Sequence, residues 1–343
     1  MSSCEVMNDS FVDACTVGVR LPRLTQVQAP LTREVTVLNE YGQSSQVSIP
    51  AERDLTVYVD KRELVTLMTL GAQPEWLVLG YLLNQRLIGS IDEIESISVD
   101  WDVNAASVKT RQGIDRIEER TAKRVVTTGC GQGSVFGNLM DEIDAIDLPA
   151  SAVLRQSQLY GIVNAIRLKE STYKSAGSVH ACALFQGEQL QLFVEDVGRH
   201  NAVDTIAGWM ALNDASLRAA HGSLDETPPE SAALRAVLPL GGPAARRCAV
   251  GVADKVFYTT GRLTSEMVIK SAQMGVPVVV SRSGITQMGH QVAQTVGLCA
   301  IGRATNKRFV CYSQAQRLTL QPGLVTKTDV TPDTARQRVS SGA

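Results

Sequence analysis

The sequence predicts an α/β fold in its second half, preceded by a smaller strand-rich α+β half. Three observations carry that expectation. From residue 255 onward, β-branched runs alternate with amphipathic stretches: strands near 255–259, 276–281 and 298–302, helices near 264–274 and 285–296. This alternation is the signature of a largely parallel sheet covered by helices. Between residues 33 and 70 apolar residues instead recur at every second position, as in Leu55, Val57 and Val59 against Thr56, Tyr58 and Asp60. That period belongs to half-buried antiparallel strands. The third observation is length, since 343 residues can build two cores.

Taken in order, residues 1–30 lack a sustained period and read as a flexible tail, with Cys4 and Cys15 as tail or edge thiols. Residues 31–150 form the smaller domain. Within it Gln73-Pro74-Glu75 opens a helix that places Trp76, Leu79, Gly80 and Leu83 on one face, with Pro where its missing N–H costs least. Strands near 94–99 and 105–110 follow, and 123–128 leads into a Gly-rich loop. Residues 151–318 form the α/β domain: a helix over 151–169 with Leu159, Ile162, Val163 and Ile166 on one stripe, strands near 181–185 and 190–194, and a helix carrying Val203, Ile206, Trp209 and Met210. The stretch at about 213–247, with Pro228-Pro229 and Gly241-Gly242-Pro243, reads as a surface insertion, and 319–343 as a flexible tail.

Composition excludes several classes. A formal net charge of -2 with mixed signs leaves no broad footprint for nucleic acid or an acidic membrane, so an anionic ligand needs a local site. The seven Cys form no paired framework and no Cys-x-x-Cys, as expected of free thiols in a reducing compartment. With no signal-like start and no long apolar run, the expectation is a soluble cytoplasmic protein.

The chemistry-bearing residues fall in four places. Cys130 lies in Thr127-Thr128-Gly129-Cys130-Gly131-Gln132-Gly133-Ser134, where flanking Gly lets amides approach the sulfur and favour a thiolate. A packed core thiol fits the same residues equally well. The run Glu195-Asp196-Val197-Gly198-Arg199-His200-Asn201-Ala202-Val203-Asp204 occupies a strand-to-helix turn, where α/β sheets hold ligands. Thr259-Thr260-Gly261-Arg262 and Ser281-Arg282-Ser283-Gly284 repeat one device, with hydroxyls, Gly, Arg and fresh helix amides suited to phosphate; two ordinary capped turns explain each alone. Arg303-Ala304-Thr305-Asn306-Lys307-Arg308 concentrates three cations, which suit either phosphate or a solvated hairpin turn. A deaminase zinc site is disfavoured, because His180 is followed by Ala181-Cys182 and no Cys pair follows. The glycines at 129, 131 and 133 also miss dinucleotide-fold spacing.

The 195–204 run, together with Thr260-Gly261-Arg262 and Ser265-Glu266-Met267-Val268, resembles the FdhD formate dehydrogenase accessory proteins, a resemblance that covers about residues 33–318 outside the insertion at about 213–247. Gly80-Tyr81-Leu82-Leu83 agrees more loosely. The resemblance implies a C-terminal domain similar to cytidine deaminases without their zinc, a smaller N-terminal domain, and a homodimer. It also implies a sulfurtransferase in which Cys130 accepts persulfide sulfur from a cysteine desulfurase. The sulfur then passes to the molybdenum bis(molybdopterin guanine dinucleotide) cofactor, a bound substrate needed by formate dehydrogenase. Arg303, Ala304, Thr305, Asn306, Lys307 and Arg308 match the segment credited with cofactor binding, joined by Gly261, Arg262, Ser283 and His200; no metal site is implied. Many relatives carry Cys-x-x-Cys in the loop, whereas Gly133 stands at the second position here and removes a resolving thiol. A non-catalytic chaperone that only binds the cofactor is the competing class.

Overall fold

The structure is a computed structural model that describes residues 20–114, 117, 125–126, 133–134, 143, 146–221 and 254–324. The first half builds on β1 (Arg23–Leu24), the hairpin β2 (Thr32–Leu38) and β3 (Ser44–Pro50), then β4 (Arg53–Val59), β5 (Arg62–Thr69), helix α1 (Pro74–Asn84), β6 (Ile94–Asp100) and β7 (Ala105–Thr110). Five of these strands form a sheet in the order β1-β6-β7-β4-β5. It is mixed, not antiparallel as the alternation led one to expect, because β4 pairs with β7 and β1 with β6 in parallel. Alternation reports which face of a strand is buried, and both pairings satisfy it. Among the described residues, β2 and β3 pair only with each other.

The chain enters the fold before residue 31, contrary to the expected tail. Glu75, buried at the start of α1, accepts hydrogen bonds from Thr25 Oγ1 at 2.6 Å and Val27 N at 3.0 Å, and this holds the segment that leads from β1. Two short strands follow, β8 (Val125–Val126) and β9 (Gly133–Ser134), paired antiparallel. The residues between them, Cys130 included, lie outside the described residues.

The second half contains β10 (Leu154–Arg155), α2 (Gln156–Leu168), α3 (Thr172–Ala176), β11 (His180–Gln186), β12 (Gln189–Asp196), α4 (Arg199–His221) and β13 (Lys255–Thr259). It continues with α5 (Ser265–Gln273), β14 (Val278–Ser281), α6 (Gln287–Thr295), β15 (Cys299–Thr305), β16 (Arg308–Cys311) and β17 (Leu318–Thr319). Six strands form a sheet in the order β12-β11-β13-β14-β15-β16, parallel only from β13 to β15. Its strands bury both faces. On β13 and β14, Phe257 and Val279 join a core with residues of α4, α5 and α6, while Val256, Tyr258, Val278 and Val280 join a second core with Leu159, Ile162 and Val163 of α2. The result is three layers, α/β/α. β17 pairs in parallel with β10, so the chain stays within the fold through Thr319.

Two sequence readings are corrected by α1 and α4. α1 is buried on all sides apart from a half-buried Trp76, because the first sheet covers one flank and α4 the other. α4 continues to His221, past the expected insertion start at 213, and Ala211, Leu212 and Ala215 pack into the first-half core. Residues 222–253 lie outside the described residues. Among the described residues, no helix is long and apolar enough to cross a membrane.

Candidate functional site

The site lies at the carboxyl ends of the parallel strands. β13 ends at Thr259 and β14 at Ser281, and the turns that follow are tied to each other. Ser281 Oγ donates to Gly261 O at 2.7 Å, Ser283 Oγ to Thr260 O at 2.8 Å, and the amide of Arg282 to Thr259 O at 3.0 Å. The amide of Arg303 donates to Ser283 O at 2.8 Å, which draws in the third strand end. The two turns therefore do stand side by side. Most of their hydroxyls, however, stitch the turns together: Thr259 Oγ1 accepts from Gly261 N at 3.1 Å and Thr260 Oγ1 from Ala181 N at 3.0 Å. Arg262 and Arg282 are exposed above them, beside half-buried Ser283 and Gly284.

His180, at the start of β11, opens the same sheet end and is half-buried. Burial, then the Arg199 and Arg262 guanidiniums, hold its pKa below the ordinary histidine value. Arg199 is buried and packs onto Gly261, where an added Cβ would sit 3.0 Å from Arg199 Cδ. Such a cluster of cationic groups at strand ends is suited to an anion.

Beside this crevice, the 195–204 run joins the two halves. Glu195 caps α3 by accepting from Thr172 N at 2.6 Å and Tyr173 N at 3.0 Å. Asp196 accepts four hydrogen bonds, from Thr69 Oγ1 at 2.5 Å, Leu70 N at 3.1 Å, Asn201 Nδ2 at 2.8 Å and Gly198 N at 3.0 Å. Asn201 also reaches Met68 O at 2.6 Å, so the run grips the end of β5 twice. Asp204 then takes Asn84 Nδ2 of α1 at 2.7 Å and Lys270 Nζ of α5 at 2.8 Å. Glu266 completes the group, 3.5 Å from both Lys270 Nζ and His200 Nε2.

Burial raises the pKa of Asp204, opposed by Lys270. Burial works to lower the pKa of Lys270, but Asp204 and Glu266 prevail and raise it. His200 is pushed down to about 2 by burial and then by Lys270, Arg199 and His180, so it is neutral.

The expected site residues are therefore distributed. Gly261, Arg262 and Ser283 are at the strand-end turns, whereas His200 is 3% exposed in the joining network, 3.5 Å from Glu266. Of the basic segment, Arg303, Thr305, Asn306, Lys307 and Arg308 are exposed, while Ala304 is 1% exposed in the core. Arg303 and Asn306 take positive φ, and the register shifts between Gly302 and Thr305, which turns β15 at a bulge before the β16 hairpin. Cys182 is fully buried, donates to Thr259 Oγ1 at 3.4 Å and is pushed up to about 12 by burial, which makes it an inert core thiol. Among the described residues, no group of three His, Cys, Asp or Glu side chains could hold a metal. Sequence reasoning missed Lys270 and the role of Glu266. The available signal was a lysine four residues after a glutamate in the otherwise apolar run Met267-Val268-Ile269-Lys270-Ser271-Ala272.

Fold and site together define an α/β protein with cationic turns at its strand ends and a buried ionic network that ties them to the first-half sheet and α1. The chain belongs to the FdhD/NarQ family, whose model matches residues 50–222 and 240–319. The unmatched segment falls inside the expected insertion. Relatives include the sulfur carrier protein FdhD of Bacillus subtilis (strain 168), 27% identical over 281 residues, covering 81% of this chain and 94% of that protein. The sulfur carrier protein FdhD of Bacillus pumilus (strain SAFR-032) is 25% identical over 300 residues, covering 84% and 99%. In fold, the chain is similar to a crystal structure from Desulfotalea psychrophila described as that of a formate dehydrogenase accessory protein. The TM-score is 0.59 at 22% identity, covering 84% of this chain and 100% of that one.

Proposed function

We propose that this protein is a cytoplasmic, homodimeric sulfur carrier that serves a formate dehydrogenase or a related molybdoenzyme. The observation that carries the reading is the cationic crevice of a chain that belongs to the FdhD/NarQ family, since relatives are named sulfur carriers. In this reading the second half is a cytidine-deaminase-like domain without zinc. The molybdenum bis(molybdopterin guanine dinucleotide) cofactor is its substrate, with phosphates met by the exposed Arg262 and the segment Arg303 to Arg308, and with Gly261 and Ser283 shaping the turns that present them. Arg suits this task because its fork makes charge-assisted bonds to phosphate.

Cys130 is the sulfur-bearing residue. Its thiolate attacks the outer sulfur of a cysteine desulfurase persulfide, and the donor thiolate leaves with the S–S electron pair. In delivery the reduced acceptor gives an electron pair to the outer sulfur of the Cys130 persulfide and is oxidised by two electrons, and the Cys130 thiolate leaves with the S–S electron pair. This exchange needs no second thiol, so Gly133 at the other loop position is compatible with it.

The test is activation of a sulfur-depleted client by wild type and by Cys130→Ala, alongside calorimetric binding of guanosine diphosphate, the terminal part of the substrate. Loss of activation with binding retained is the expected result; equal activation by both would favour the cofactor-binding chaperone. Arg262→Gln is expected to weaken nucleotide binding about tenfold, the value of one charge-assisted hydrogen bond.

A further inference from the structure

We propose that Cys299 and Cys311 form a redox-active dithiol that closes into an intramolecular disulfide. Cys299 opens β15 and Cys311 ends β16, and Cys311 pairs in register with Ile301. Cys299 therefore lies on the same face, two residues along, and the two sulfurs stand 3.9 Å apart. Both belong to the side of the sheet that packs against α2.

The two thiols differ in access and in chemistry. Cys299 is 0% exposed, whereas Cys311 is partly exposed, so a solution disulfide meets Cys311 first. The hydrogen bond between the two sulfurs brings Cys311 down to about 7, which favours a thiolate at the accessible position. Cys299 is itself held up by that hydrogen bond, by burial and by the Cys311 charge. Once Cys311 enters a mixed disulfide, the hydrogen bond and the charge disappear; burial still holds Cys299 up, so its proton passes to the glutathione thiolate already expelled as it attacks.

The exchange balances with oxidised glutathione as oxidant. Cys311 thiolate attacks one glutathione sulfur and expels glutathione thiolate; Cys299 thiolate then attacks the Cys311 sulfur and expels the second. Two protein thiols are oxidised and one small-molecule disulfide is reduced. Closing the sulfurs to a bond of about 2 Å requires movement, and among the described residues β16 is the outermost strand of its sheet, with no further described strand on that flank. The movement draws on the hairpin that carries Arg303 to Arg308.

Full-length protein would be incubated with oxidised glutathione, digested with trypsin without reduction, and analysed by mass spectrometry. Cys299 and Cys311 fall in separate tryptic peptides, 283–303 and 309–317. The expected product is these two peptides linked and released by reductant, with glutathione accumulating on Cys311 in Cys299→Ser. A stable glutathione adduct on Cys311 of the wild type without the linked peptide would overturn the proposal. So would two unmodified thiols while other cysteines of the chain react. The wild-type arm decides the matter even where the substitution disturbs folding.

Discussion

Lys270, 1% exposed, keeps its charge because Asp204 stands 2.8 Å away and Glu266 3.5 Å away. Removing one partner of a buried pair leaves the other charge uncompensated, which costs more than the pair contributes. Lys270→Met is therefore expected to lose about 3–5 kcal/mol in urea unfolding, with part recovered when Asp204→Asn is added. His200 gives a pH signature. Its folded pKa of about 2 lies below the ordinary histidine value of 6.5, so between these values the unfolded chain binds a proton that the folded chain does not. Stability from this group is complete above the unfolded pKa and falls as pH falls, by about 2 kcal/mol at about pH 5. In His200→Gln that part of the acid loss should vanish from denaturation curves. Equal acid loss in both proteins would mean that His200 is charged in the fold, paired with Glu266.

The crossing of α1 and α4 is the element on which the two halves meet. An added Cβ on Gly80 would lie 1.7 Å from Asp204 O, and one on Gly208 would lie 2.0 Å from Trp76 O, so the helix backbones touch where side chains are absent. Gly80→Ala is expected to cost about 3 kcal/mol or more, since neither backbone can yield. Gly284→Ala, with nothing within 4 Å of its added Cβ, should stay within about 0.5 kcal/mol. Thermal unfolding of the two variants checks both. Gly80 was visible in the sequence as part of a helix face, but its partner was not, because a close crossing is set by two segments more than a hundred residues apart. The strands and Pro74 at the helix start were legible because they depend on local pattern. Parallel pairing of β4 with β7 and the anchoring of β1 were not, being tertiary choices. The helical stretch from 213 to 221 was misread because its Ala-rich sequence shows little apolar stripe, although Ala favours helix.

At the scale of the molecule, the 195–204 run ties β5 and α1 of the first half to the sheet end that carries the cationic turns. The proposed role needs a loaded thiol and a rigid place for an anionic acceptor, and the cationic turns with their network suit the second need. The first rests on Cys130. It is tested most directly by intact mass after incubation with an active cysteine desulfurase and cysteine, on wild type and on Cys130→Ala. The expected result is a gain of one sulfur atom on the wild type, removed by reductant and absent from the variant. An unchanged wild-type mass, with the desulfurase loading a known acceptor in parallel, would contradict it.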